Sequence, residues 1–68
     1  MIIEIFCETD EIAHTDRFSG TDPVKTTRGE RQAKDIGIGD SIIISRGFSL
    51  KVTRIITYYG DDDGSEIN

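Results

Sequence analysis

The sequence predicts an all-β domain, a small antiparallel meander curled into a barrel. Three observations carry this. Twelve of the 68 residues are Ile, a β-branched side chain that suits a pleated, half-buried surface better than a helix. Apolar and polar residues alternate through Phe48, Leu50, Val52, Ile56 and Tyr58, the period of a strand. Turn residues (Ser19-Gly20, Asp22-Pro23, Arg28-Gly29, Gly39-Asp40, Arg46-Gly47) cut the chain into strand-length pieces. At this length residues 1–68 form one domain with a small core.

Taken in order, Ile2–Phe6 reads as a first strand. Residues 8–23 are polar and acidic and end in Ser19-Gly20-Thr21-Asp22-Pro23, so a long polar loop is expected there, with one turn at Glu8–His14. Val24–Thr27 is a short strand, Arg28-Gly29 turns, and Glu30–Lys34 returns. Glycines at alternate positions in Asp35–Asp40 exclude a helix and place Ile36 or Ile38 in the core, before a turn at Gly39-Asp40. Ser41–Ser45 is a strand, and Phe48–Tyr59 is one long strand with only Arg54 interrupting its apolar face. A three-residue loop Ser45-Arg46-Gly47 is expected between them. It pairs Ile44 with Phe48 and Ile42 with Leu50, and gives Gly47 the left-handed position. Gly60–Gly64 reads as an acidic turn and Ser65–Asn68 as a short last strand.

One stretch has a family pattern. Val24-Lys25-Thr26-Thr27-Arg28-Gly29-Glu30, then Ala33-Lys34-Asp35-Ile36, then Gly37-Ile38-Gly39-Asp40 before Ser41–Ile44, resembles the N-terminal half of a Hint module, the fold of inteins and hedgehog autoprocessing domains. Phe18-Ser19-Gly20 falls where that family has the residues after its nucleophile. The resemblance spans roughly residues 17–56 and implies a small β-barrel, SH3-like or half-Hint-like. Arg17 occupies the position of the nucleophilic Cys, and the downstream Thr-x-x-His segment is missing. The resemblance therefore implies no self-processing activity.

Composition narrows the function classes. The net charge is −5. Residues 1–23 carry six acids against Arg17, and residues 61–68 carry Asp61, Asp62, Asp63 and Glu66 against no cation. Between Asp40 and Asp61 stand only Arg46, Lys51 and Arg54. A single Cys excludes an internal disulfide and argues for a reducing compartment. No run approaches the ~20 apolar residues of a membrane span, and the Met-Ile-Ile-Glu start lacks a basic signal-peptide region. The expected location is the cytoplasm, or an assembly formed there.

No catalytic set, metal site or cofactor is expected. Cys7, His14 and Asp16 or Asp10 are the one conceivable nucleophile–base–orienter set, but Cys7 closes an apolar strand and reads as a packing residue. Asp61–Glu66 fails the calcium-loop pattern, because with Gly64 at its sixth position the first would be Tyr59. Gly37-x-Gly39 lacks the third glycine and the helix of a dinucleotide site. The expected function is a non-catalytic protein-interaction module: a small subunit or accessory factor, of a size and charge familiar from phages and mobile elements. A protein partner or self-association would supplement its short core. The expected binding residues are Arg46, Lys51, Arg54, Tyr58 and Tyr59. One alternative is an acidic inhibitor that mimics nucleic acid and blocks a nucleic-acid-binding protein. Another is a nucleic-acid-binding barrel using the 46–54 hairpin, with Lys25, Arg28, Arg31 and Lys34 adding phosphate contacts.

Overall fold

The computed structural model describes residues 1–59. The domain is all-β, in two antiparallel sheets. The strands are β1 (Ile2–Glu8), β2 (Ala13–Ser19), β3 (Pro23–Thr26), β4 (Gly29–Gln32), β5 (Ser41–Ser45), β6 (Phe48–Lys51) and β7 (Arg54–Tyr58). A 3-10 turn, Ala33–Asp35, follows β4. The three-stranded sheet runs β2-β1-β7 and the four-stranded sheet β4-β3-β5-β6. Among the described residues no strand pairing joins them, so the expected closed barrel is replaced by two separate sheets over one core.

The core follows from alternation. β1 buries Ile3, Ile5 and Cys7 and turns Ile2, Glu4, Phe6 and Glu8 outward. β3, β5 and β6 contribute Val24, Ile42 and Leu50, joined by Ala33, Ile36 and Val52. Of the two candidates near the glycines, Ile36 is buried and Ile38 lies 70% exposed.

The expected loop over 8–23 is mostly strand. β2 pairs with β1 over its whole length, from Ile2 opposite Ser19 to Glu8 opposite Ala13. Its composition conceals this, because an edge strand of an antiparallel sheet can be polar and still satisfy its backbone. The connection is only Thr9–Ile12. It is closed by the Thr9 N–H donating to the Ile12 carbonyl at 2.7 Å, while Thr9 Oγ1 accepts from the Ile12 N–H at 2.9 Å.

The expected single strand Phe48–Tyr59 is two strands in different sheets. The chain crosses between them at Val52-Thr53 and is fastened on both sides. The Val52 N–H donates to the Asp40 carbonyl at 2.7 Å, and the Thr53 N–H to the Phe6 carbonyl at 2.8 Å. The Thr53 hydroxyl also accepts from the Glu8 N–H at 3.1 Å. The crossing resets the register, so Ile55 rather than Ile56 packs against the core.

At the β5–β6 hairpin the faces match expectation and the last pair does not. Ile42 opposes Leu50, Ile42 and Ile44 point inward, and Ile43 is 41% exposed. But Ser45, not Ile44, opposes Phe48, across a two-residue turn with a bulge between Ile43 and Ser45. Phe48 is left 42% exposed. Gly47 has φ +74, with open space where a Cβ would stand. Replacing it with Val therefore costs backbone strain and no clash, about 1–2 kcal/mol. The expected drop in Tm is about 4–8 °C per kcal/mol, read by circular dichroism; an unchanged Tm would contradict the positive φ.

The expected turn at Gly60–Gly64 and last strand at Ser65–Asn68 lie outside the described residues.

A candidate binding face on the four-stranded sheet

The fold turns the uneven sequence charge into a division between sheets. Residues 23–52, which form the four-stranded sheet and its turns, carry Lys25, Arg28, Arg31, Lys34, Arg46 and Lys51 against Glu30, Asp35 and Asp40. Residues 1–22 and 53–59, around the three-stranded sheet, carry Glu4, Glu8, Asp10, Glu11, Asp16 and Asp22 against Arg17 and Arg54.

The two cations of the acidic sheet are both engaged. Arg17 lies opposite Glu4 and donates to its carboxylate at 3.3 Å. Arg54 lies opposite Phe6, with its guanidinium 4.0 Å from the ring centroid and 3.9 Å from the Glu8 carboxylate. The Tyr58 hydroxyl donates to Glu4 at 2.8 Å, and Arg17 stands 5.6 Å from the Tyr58 ring. Acceptance by the Glu4 carboxylate is the main cause that holds the Tyr58 phenol above its ordinary pKa. Glu4, Arg17 and Tyr58 thus form one ladder across three strands.

The six cations of the four-stranded sheet differ. Among the described residues, none has a carboxylate within 4.0 Å, and all six are exposed. Desolvating or re-pairing them breaks no ion pair among the described residues.

The expected binding residues therefore separate. Arg46 stands in the β5–β6 turn and Lys51 at the end of β6, both on the basic sheet. Arg54 and Tyr58 stand at opposite ends of β7, on the outer face of the acidic sheet, held by partners of their own. Tyr59 follows β7 and is 80% exposed. Lys25, Arg28, Arg31 and Lys34 join Arg46 and Lys51 on the basic side. Their spacing of three in sequence was the available signal, and it fits neither strand nor helix period over the whole run.

β6 pairs only with β5 among the described residues, so its other edge offers backbone groups for strand addition. Phe48 and Ile43 beside it are exposed apolar residues. At the far end of the sheet a cleft of about 270 Å³ is lined by Thr26, Arg28, Arg31, Asp35 and Asp40.

The thiol set does assemble in part. Cys7 and His14 are directly opposed on β1 and β2, and His14 Nε2 lies 2.8 Å from the Asp16 carboxylate. Yet Cys7 is fully buried, with its thiol directed at the Leu50 carbonyl at 4.0 Å. Burial pushes its pKa up, and the Asp16 charge adds to the rise. A nucleophilic cysteine needs the opposite shift. Because the folded state holds the proton more tightly than the unfolded chain, this contribution to stability is full below the ordinary thiol pKa. It is lost as pH rises through the folded value. Cys7 should accordingly resist thiol-reactive dye at pH 8 in buffer and label promptly in denaturant. Fast labelling in buffer would contradict its burial.

No group of three or more His, Cys, Asp or Glu among the described residues is placed to hold a metal ion, and no helix there is long and apolar enough to cross a membrane. Asp61–Glu66 lies outside them. Comparison with protein-family models, curated proteins and solved structures gave no match, so nothing found there points to a Hint module.

Proposed function

We propose that this chain is a non-catalytic protein-interaction module, a small subunit or accessory factor that docks on an acidic protein surface through its four-stranded sheet. The observation that carries the proposal is the separation of charge between sheets, with the ion pairs among the described residues all on the acidic one. A two-signed domain is oriented as it approaches a charged partner, and its unpaired cations are available to the complex. The open edge of β6, with Phe48 and Ile43 beside it, supports a mainly β-type contact with an apolar centre and a basic rim. The burial of Cys7 supports a non-enzymatic role. The reducing environment suited to a free thiol supports the cytoplasm, or an assembly formed there.

The test is recovery of tagged chain with its partners from extract of its source, with and without nuclease. The proposal expects a stoichiometric protein that survives nuclease. Loss of the partner on nuclease treatment would replace it with a nucleic-acid-binding role for the same cations. A partner that nucleic acid displaces would make the acidic sheet, acting as a phosphate mimic, the working surface.

A further inference from the structure

We propose that the cleft between the Thr26–Gly29 turn and the Gly37–Asp40 turn binds the zwitterionic head group of an α-amino acid, its carboxylate on Arg28 and Arg31 and its ammonium on Asp35 and Asp40. Two arginines and two aspartates line one volume of about 270 Å³. Among these four residues no ion pair closes within 4.0 Å, although both signs line the same cleft. The turns that carry Arg28 and Asp40 are held by hydrogen bonds. Thr26, buried on β3, accepts from the Arg28 N–H at 3.1 Å and donates to the Gly29 carbonyl at 2.6 Å, which sets the turn that carries Arg28. Arg31 stands opposite Val24 on β4, an edge strand, and is exposed. Across the cleft, the Asp40 carboxylate accepts from the Gly37 N–H at 2.8 Å, and the same turn is closed by the Asp40 N–H on the Gly37 carbonyl at 3.1 Å. Asp35 ends the 3-10 turn.

The chemistry of the occupant follows from the signs and the size. A phosphate or simple carboxylate would gain two arginines but sit beside two aspartates. A simple cation would meet the reverse. A group with both charges a few bonds apart satisfies both walls at once, with charge-assisted hydrogen bonds to each. The volume lies just under the usual range for small-molecule sites, which suits a head group and excludes a nucleotide-sized ligand. The cleft shares Arg28 and Arg31 with the basic sheet, but its test reads small-molecule binding and does not require the proposed protein partner.

The test is amide chemical-shift mapping of the ¹⁵N-labelled full chain at pH 6.5 and fixed ionic strength. The probes are L-alanine, N-acetyl-L-alanine (carboxylate only) and L-alaninamide (cation only). The expected result is saturable shifts with L-alanine at residues 26–31 and 35–40. Each singly charged analogue should bind about tenfold or more weakly, the loss of one charge-assisted contact. Arg31→Gln and Asp35→Asn should each weaken L-alanine comparably, with the rest of the spectrum unchanged. Neither residue holds a hydrogen bond that builds the walls. Absence of saturable shifts with L-alanine would overturn the proposal. So would equal binding of N-acetyl-L-alanine, which would reduce the cleft to an anion notch, or binding unaffected by both substitutions.

Discussion

Replacing Ile5 with Ala is expected to abolish the cooperative unfolding transition at 25 °C. Ile5 is fully buried at the middle of β1, the central strand of the three-stranded sheet. It faces Asp16 on one side and Ile55 on the other, and its side chain enters the single core shared by both sheets. Truncating such a residue costs about 2–5 kcal/mol, the transfer of the lost methyl groups plus the cavity left behind. A domain of this size has little more than that in reserve. Among the described residues nine apolar side chains are buried, Ile5 included; the eight others cannot compensate for its loss, and no strand pairing there joins the two sheets. Denaturant titration followed by circular dichroism decides it. A two-state transition with a midpoint close to that of the parent would show that the sheets do not share one core.

The second large effect concerns binding. Arg46→Glu with Lys51→Glu reverses two exposed cations on the four-stranded sheet and disturbs no internal ion pair. Stability should change by no more than about 0.5 kcal/mol for each. Affinity for the partner should fall about tenfold or more, mainly through slower association, and the fall should shrink as salt rises. Arg54→Glu is the informative contrast. It removes the contacts with Phe6 and Glu8 on the acidic sheet and should lower stability more than affinity.

Much of the fold was legible because its signals are local. The β-branched Ile runs of β1 and β5 mark strands, Gly47 and Gly29 adopt the positive φ that their turns require, and Ile42 opposes Leu50 as the apolar pattern dictates. What escaped was non-local. β2 is a strand because β1 supplies its hydrogen bonds, and the polar run Ala13–Ser19 carries no such instruction by itself. The break at Val52-Thr53 falls inside an alternation that only Arg54 interrupts. It is set by the Asp40 and Phe6 carbonyls, distant in sequence, that fasten the chain there. The same break separates Arg54 and Tyr58 from Arg46 and Lys51, residues that one long strand would have kept together. The cleft was illegible for a similar reason. Arg28, Arg31, Asp35 and Asp40 come from four short segments, and only their packing brings opposite signs to one opening.

On the proposed function, the four-stranded sheet is the docking surface and the three-stranded sheet is not. The most direct measurement compares the affinity of the nuclease-resistant partner for three forms: the parent, Arg46→Glu with Lys51→Glu, and Asp10→Lys with Glu11→Lys in the exposed β1–β2 turn. Each form is first shown to keep the parental unfolding midpoint. The account predicts that the first pair of changes weakens binding about tenfold or more and that the second leaves it unchanged or stronger. Binding lost through the acidic turn and retained without the two cations would contradict it and place the interface on the other sheet.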